Sequence, residues 1–270
     1  MSVEGALCQP GGGASCGACC GLYNFAQHDR AAVTETLARA RRVLTATEKT
    51  PEAFRESAQR LRAQGATPLF PMVRVCPLLG FLDDGHQRVG CLAHPLVTGG
   101  RDLRDCGAYT ADICETFLCP SHSWLTEAQA LLVRRACPDW YLYGLVITDV
   151  EWVKTTLGLV EAERAAPLDP GAILRHPRAL RACHDLFALK ETAPDRPRDG
   201  QVFGAFGPDP AGGEEPVMRV LDYAGLDVGA APEDHAVLCL GYAPETREAL
   251  QAARRLIREK VQALVAALGE

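Results

Sequence analysis

Cysteines are the residues whose spacing most clearly suggests chemistry in this chain. Three of the twelve fall within five residues, in the run Cys16-Gly-Ala-Cys19-Cys20. A Cys-x-x-Cys turn lets two thiolates converge on one metal, because the short loop between them forms a tight chelate. The adjacent Cys20 either adds a ligand to that centre or begins a second one.

Further cysteines extend this cluster through a stretch of chain that glycine and proline interrupt. Two of them, Cys76 and Cys119, directly precede proline, and proline after a ligand closes the cysteine run of bacterial ferredoxins. The pattern predicts nine metal ligands: Cys8, Cys16, Cys19, Cys20, Cys76, Cys91, Cys106, Cys114 and Cys119. The three remaining cysteines stand alone on apolar faces and are expected to be inert core residues: Cys137, Cys183 and Cys239.

Other catalytic signals are weak. His94 and His122 neighbour the cysteines, but isolated histidines near a metal cluster are more often outer residues than ligands. The sequence contains no phosphate-binding loop, no dinucleotide fingerprint and no His-Glu-x-x-His motif. The cysteines are therefore the predicted functional residues, and a catalytic residue remains unknown.

Composition indicates a folded, soluble protein in a reducing compartment. The formal net charge of -6 argues against a nucleic-acid or anionic-membrane partner, because both are bound mainly by basic clusters. The N-terminus has no basic segment followed by an apolar one, and no apolar run approaches the roughly 20 residues of a membrane span. We expect a cytoplasmic protein, where dense cysteines hold metal more often than they form disulfides.

Hydrophobic periodicity predicts the elements that position these cysteines. Helices are expected after Asp29, after Thr50, after Thr126 and after Pro177, each beginning at a capping residue or a proline. Longer helices are predicted over 139–157 and 245–268, with a proline-rich connection over 161–176. A two-stranded ribbon is predicted at 79–82 and 88–92, and short strands at 202–206, 217–221 and 236–240.

These elements define an α+β class that is predominantly helical with small β-ribbons. We expect a cysteine-rich metal-binding region over residues 1–122 and a mainly helical region over 123–270 packed on it, with a single domain as the alternative. The metal is expected to organise the first region, since its loops lack the continuous apolar periodicity of a core.

The cysteine spacing also resembles a known family. The run Cys16-x-x-Cys19-Cys20, followed by Cys76-Pro-Leu-Leu and by Gly90-Cys91-x-x-His94, is similar to the YkgJ-like cysteine-cluster family, which is described as zinc- or iron-chelating. The resemblance covers roughly residues 8–119. It implies seven family cysteines in this chain: Cys8, Cys16, Cys19, Cys20, Cys76, Cys91 and Cys106.

Three functions are compatible with these residues. The first is an iron–sulfur protein with one or two clusters, [4Fe–4S] in type, that serves in electron transfer, sensing or support of a larger system with a protein or redox partner. The second is a zinc-organised interaction or scaffold module. The third is a cluster-dependent protein-modifying enzyme, such as the flagellin lysine methylases that share the cysteine pattern. An almost purely cysteine ligand set favours the first function. The oligomeric state stays open.

Overall fold

A computed structural model describes residues 7–194, 204–209 and 211–269 of the chain. The chain divides into two compact units. Unit 1 comprises the described residues up to Cys119 together with Asp139–Gly144, and unit 2 comprises Pro120–Pro138 and the described residues from Leu145 onward. Each unit is described below by itself.

Unit 1 contains short helices, one ribbon and long irregular segments. Its elements are α1 (Arg30–Ala46), α2 (Pro51–Ala63), β1 (Leu79–Phe81), β2 (Val89–Cys91), α3 (Pro95–Thr98) and α4 (Ala111–Thr116), with 3-10 turns at Ala18–Cys20 and Arg104–Cys106. Asp29 and Thr50 cap α1 and α2 by accepting backbone N–H groups, as their positions predict. The two helices pack together, and α1 also packs on the antiparallel ribbon, which pairs Leu79 with Cys91.

Unit 2 is mostly helical. Its elements are α5 (Ser121–Trp124), α6 (Glu127–Ala136), the last residues of α7 (Trp140–Ile147), α8 (Val150–Arg164), α9 (Pro170–Arg175), α10 (Pro177–Phe187), α11 (Leu189–Thr192), β3 (Phe206–Gly207), β4 (Val217–Met218), α12 (Asp234–Cys239) and α13 (Arg247–Leu268). The long helix α13 packs on α8 and α10, and α12 packs on α8. Apolar stripes on these helices form the core, and β3 and β4 form a second antiparallel pair.

The predicted class, mainly helical with small ribbons, is confirmed. The predicted capping box is also present, with Thr126 and Gln129 exchanging side-chain and backbone hydrogen bonds at the start of α6. No helix among the described residues combines the length and the apolar character that a membrane crossing requires.

The single helix predicted over 139–157 is wrong, because two helices occupy this stretch. The break falls at Asp149, whose carboxylate accepts the backbone N–H of Trp152 and so caps the start of α8. The apolar residues keep nearly helical spacing across the break, which conceals it from the periodicity. Beyond it α8 continues through Gly158 to Arg164, so the predicted connection over 161–176 contains the end of α8 and all of α9.

The strand predicted over 236–240 is also wrong, because this segment belongs to helix α12 and its C-terminal cap. Its residues Ala-Val-Leu-Cys-Leu are all buried, and a short, fully apolar run does not distinguish a strand from a buried helix. The strand predicted over 202–206 begins outside the described residues, and within them Phe206 pairs with Met218.

Candidate metal centres

The segment that carries the first cysteines lies along the ribbon of unit 1. The side chain of Gln9 donates to the carbonyl of Val89 (2.6 Å), and the N–H of Val89 donates to the hydroxyl of Ser15 (2.9 Å). Just outside these two anchors, the N–H of Cys16 donates to the carbonyl of Cys8 (2.9 Å), which closes the glycine-rich loop. The loop therefore holds Cys8 and Cys16 beside β2.

Tyrosines from Asp139–Gly144 fix the same segment from within unit 1. The hydroxyl of Tyr143 donates to the carbonyl of Leu7 (2.8 Å), directly before Cys8. Tyr23 donates to the carbonyl of Tyr141 (3.0 Å), and Tyr141 donates to the carbonyl of His28 (2.8 Å). Because buried hydroxyls need partners, these bonds hold the loop at both ends.

Gly21 lets the chain turn sharply after Cys20. Its φ is +81°, and a Cβ atom there would lie 2.6 Å from the carbonyl oxygen of Arg74 and 2.8 Å from Cα of Val75. This close approach is possible for glycine alone. Next to this contact between Gly21 and Val75, the N–H of Cys76 donates to the carbonyl of Cys20 (2.9 Å). Two cysteines that are 56 positions apart in the chain are therefore neighbours.

Asn24 fastens the segment that leads to Cys76, and the sequence analysis missed it. Its side-chain amide donates to the carbonyls of Phe70 (2.9 Å) and Val73 (2.7 Å), and its carbonyl accepts the N–H of Phe70 (2.8 Å). The buried asparagine thus satisfies the backbone of an irregular segment. A lone asparagine after a tyrosine gives no sequence signal of this role.

Four thiols form the first thiol group, which consists of Cys8, Cys16, Cys19 and Cys119. A hydrogen bond to the Cys119 thiol and burial raise the pKa of Cys19, and negative charge on the other three thiols would raise it further. Burial raises the pKa of Cys16 to about 12, although the N–H of Ala18 donates to its sulfur (3.4 Å) and lowers it. Repulsion by Cys119 also contributes to the raised pKa of Cys8, after burial. The mutual influence on their pKa values indicates that the four thiols lie near one another.

Four other thiols form the second thiol group, which consists of Cys20, Cys76, Cys91 and Cys114. Burial raises the pKa of Cys20, and repulsion by the other three thiols raises it further. Burial likewise raises the pKa of Cys91 to about 12, where the N–H of Ala93 opposes the rise. Buried thiols that repel one another in this way are unfavourable as free thiolates, and they need a positively charged partner to ionise.

The adjacent residues Cys19 and Cys20 belong to different groups. Both lie in the 3-10 turn Ala18–Cys20, where Cys19 is exposed and Cys20 is partly buried. Consecutive Cα atoms are about 3.8 Å apart. The turn therefore brings one sulfur of each group close to the other group, and charge repulsion between Cys16 and Cys20 also connects the two.

Cys106 is the predicted ligand that joins neither group. Its side chain packs in the apolar core of unit 1 with Leu44, Phe54 and Leu78, and its thiol donates to the carbonyl of Pro51 (3.5 Å). Burial raises its pKa, and the neighbouring charges that modify it come from Arg55, Asp105 and Glu52 rather than from cysteines.

The separation of the sulfurs bears on what each thiol group could hold. No three of the eight grouped sulfurs, all of which lie in the described part of the chain, are within 4.8 Å of one another. Four thiolates on one tetrahedral zinc, with Zn–S bonds of about 2.3 Å, would lie about 3.8 Å apart. The arrangement is therefore more open than a preformed tetrahedral zinc site.

An arginine carries positive charge to the second thiol group. Arg104 is largely buried, and its guanidinium binds both carboxylate oxygens of Asp102 (2.6–3.1 Å) and approaches Glu115 (3.4 Å). The charge of Arg104 lowers the pKa values of Cys91 and Cys114, although burial raises both overall. The sequence analysis did not identify this residue.

A cleft of about 460 Å³ within unit 1 reaches Cys20 and Cys76 of the second thiol group. Three arginines also line it: Arg39, Arg62 and Arg74. Arg62 and Arg74 donate to the backbone carbonyls of Gly107 and Ala108. The Nε of Arg39 is buried and has no hydrogen-bond partner among the described residues. The cleft is therefore positively charged beside two candidate ligands.

The remaining candidates take structural positions. His94 caps α3 by accepting the N–H of Leu96 (3.2 Å), which is an ordinary role for a polar residue before a helix. Cys137, Cys183 and Cys239 are all fully buried, as expected for isolated cysteines.

The chain matches no protein-family model, and no curated protein or solved structure is significantly similar to it.

Proposed function

We propose that this chain is an iron–sulfur protein with two [4Fe–4S] clusters, and that it transfers electrons. The first thiol group (Cys8, Cys16, Cys19 and Cys119) would hold one cluster. The second (Cys20, Cys76, Cys91 and Cys114) would hold the other. The observation that carries the proposal is the separation of eight cysteines into two groups of four.

The ligand chemistry supports iron and sulfide. Four cysteine thiolates are the usual ligand set of a [4Fe–4S] cluster, and each group supplies four thiols without a histidine or carboxylate. Each group also contains one cysteine that precedes proline, Cys76 or Cys119, as in bacterial ferredoxins.

The sulfur spacing supports the same choice over zinc. A tetrahedral zinc site needs sulfurs closer together than the 4.8 Å within which no three of these thiols fall. Because a cluster places several atoms between its ligands, it suits more widely separated thiols. Zinc remains the alternative occupant, and the metal content decides between them.

The chain's own residues would tune such centres. An iron–sulfur cluster supplies one-electron transfer at a potential set by charge, hydrogen bonds to sulfur and solvent exposure. The N–H of Ala18 already points at the sulfur of Cys16 (3.4 Å), and Arg104 brings positive charge to Cys91 and Cys114. Cys19 and Cys20 would keep the two centres close enough to exchange electrons.

A protein or redox partner completes this function. Three large apolar side chains between or beside the candidate ligands Cys114 and Cys119 are exposed: Ile113 (46%), Phe117 (54%) and Leu118 (66%). Exposed apolar residues beside a redox centre are typical of a surface that meets another protein.

The cleft beside Cys20 and Cys76 favours a second candidate function, a cluster-dependent modifying enzyme with an anionic substrate. The buried, unpartnered Nε of Arg39 is the observation that supports it, since guanidinium groups bind carboxylates and phosphates. Titration of the reconstituted protein with citrate or phosphate should then change the electron paramagnetic resonance of the reduced protein, and Arg39→Gln should abolish this change. Indifference of the wild-type signal to both anions would exclude this candidate.

The YkgJ-like resemblance accords with both candidates, since that family is described as chelating zinc or iron. Cys106, which the resemblance includes, is outside the proposed ligand set because its thiol lies in the apolar core.

Metal and sulfide analysis tests the proposal. Protein purified without oxygen, or reconstituted with iron and sulfide, should be brown and contain about eight irons and eight sulfides per chain, four per cluster. Cys183→Ala is the matched control, because it removes a buried cysteine outside both groups and should leave this content unchanged. A colourless protein that binds zinc and takes up no iron would overturn the choice of metal.

A further inference from the structure

A second set of metal-binding side chains lies in unit 2, far along the sequence from the clustered cysteines. His235 and Cys239 are four residues apart on α12, so they project from the same face of the helix. Glu151 is the second residue of α8, on which α12 packs. One ligand atom from each of the three side chains lies within 4.8 Å of the other two.

The distances suit a single ion. Nε2 of His235 lies 3.4 Å from Oε2 of Glu151. Zinc bonds of about 2.0–2.2 Å to nitrogen and oxygen place tetrahedral ligand atoms about 3.4 Å apart. A helical His-x-x-x-Cys pair completed by a carboxylate from another helix provides three different ligands that zinc accepts.

The set has one buried and two accessible members. Cys239 is fully buried, whereas the side chains of His235 and Glu151 are 41% and 34% exposed. An ion among them would therefore have protein on one side and solvent on the other. Three protein ligands with an open fourth position are typical of reactive zinc sites, while structural sites have four.

Neighbouring residues hold two of the three ligands in place. The N–H of Ala205 donates to Oε2 of Glu151 (3.0 Å). Gly204, with φ of +56°, lets this loop approach, since a Cβ atom there would lie 2.3 Å from the same oxygen. Behind Cys239, the buried ammonium of Lys190 donates to the carbonyl of Cys239 (2.8 Å). Such outer contacts orient metal ligands.

From this arrangement we infer that Glu151, His235 and Cys239 bind one divalent transition-metal ion of the zinc class, with water in the fourth position. The inference is independent of the two thiol groups, because it uses none of their residues. It also gives Cys239 a role that its isolation in the sequence does not suggest.

Cobalt binding tests the inference in the full chain. Co²⁺ occupies zinc sites and reports thiolate ligands through charge-transfer absorption. We expect His235→Ala and Cys239→Ala each to bind one equivalent of Co²⁺ fewer than the wild type, and Cys239→Ala to lose part of the thiolate absorption. Cys183→Ala and His176→Ala, a buried cysteine and an exposed histidine of the same unit, should retain the wild-type stoichiometry.

Substitution of the buried Cys239 could unfold the protein, whereas His235 is partly exposed and its substitution removes a ligand without opening the core. The His235 variant therefore tests metal binding separately from folding. A His235→Ala protein that unfolds at the wild-type temperature without metal, yet binds as many equivalents of Co²⁺ as the wild type, would overturn the site. The contact between His235 and Glu151 would then be a side-chain contact that holds no metal. Failure of the iron and sulfide analysis would leave this result unaffected.

Discussion

The two units of this protein place metal-binding side chains in different ways. In unit 1 eight cysteines come from turns, loop ends, the ribbon and the short helix α4, and no three of their sulfurs, all in described residues, lie within 4.8 Å of one another. In unit 2 three ligands come from two packed helices and do lie within that distance. The difference teaches that ligand spacing, as well as ligand type, indicates whether a site suits a cluster or a single ion.

The two units also differ in what stabilises the segments that carry these ligands. The helices of unit 2 bury continuous apolar stripes, for example Leu250, Ile257 and Leu264 of α13. Unit 1 has a core beneath α1, α2 and the ribbon, but α4 between Thr110 and Phe117 buries no residue. We therefore expect metal to order the cysteine-bearing segments of unit 1 and to matter little for the helices of unit 2.

Removal of the proposed clusters should have the largest effect. After oxidation and chelation of iron, amide hydrogen exchange should become at least about tenfold faster in residues 8–27 and 107–119, because these segments lose metal bonds that offset their ordering entropy. Exchange in α8, α10 and α13 should stay unchanged, as measured by mass spectrometry. Equal protection of residues 8–27 with and without iron would show that hydrogen bonds alone hold this loop.

Substitution at Lys190 should have the second-largest effect, and this effect is a loss of stability in unit 2. Lys190 and Asp149 form a fully buried ion pair (2.7 Å), so Lys190→Met leaves an unpaired buried carboxylate. The free energy of unfolding should fall by about 3–5 kcal/mol. The exposed pair of Arg175 and Asp169 provides the control, and Arg175→Met should have a much smaller effect in the same denaturation experiment. Similar losses of unfolding free energy in both variants would show that the Lys190–Asp149 pair is not buried as described.

Substitution at Gly21 should reduce both stability and iron content. In Gly21→Ala the positive φ costs about 1–2 kcal/mol, and the clash with Arg74 and Val75 adds to this and displaces Cys20 from Cys76. Gly99→Ala is the matched control, because Gly99 has a φ of +73° but no atom within 4 Å of the added Cβ. It should show the conformational cost alone and retain its iron. Full iron content in Gly21→Ala would show that the close contact of Gly21 with Arg74 and Val75 is not needed to place Cys20 beside Cys76.

Removal of one charge should produce the smallest effect. Arg104→Gln takes positive charge from the second thiol group, so reduction, which adds negative charge, should become harder there. Redox titration should show one of two potentials falling by the order of tens of millivolts, while Arg175→Gln changes neither. Two unchanged potentials in Arg104→Gln would show that the charge of this arginine does not act on the proposed cluster.

Local signals in the sequence were sufficient for several elements. The caps at Asp29 and Thr50, the ribbon and the stripe of α13 depend on residues close together in the chain, and the structure contains all of them. The division of the cysteines depends instead on pairings over long separations, such as Cys20 with Cys76 and Cys19 with Cys119. No local pattern encodes these pairings.

The proposed ligands in unit 2 were not recognised in the sequence, because the secondary structure of one segment was predicted incorrectly. Prediction of a strand over 236–240 left Cys239 isolated, whereas the helix places it one turn from His235. The third ligand, Glu151, comes from a helix whose start at Asp149 the apolar periodicity concealed. A His-x-x-x-Cys spacing in a region that can be helical is the sequence signal that would have indicated the pair.

The division of Cys19 and Cys20 between two centres is the central claim, and iron content of three variants tests it most directly. If each serves a different cluster, Cys19→Ala and Cys20→Ala should each lose about four irons per chain, and the double variant should lose about eight. The losses should be additive because the centres are separate. If the two cysteines serve one cluster, the double variant will contain as much iron as either single variant, and that result would contradict the account.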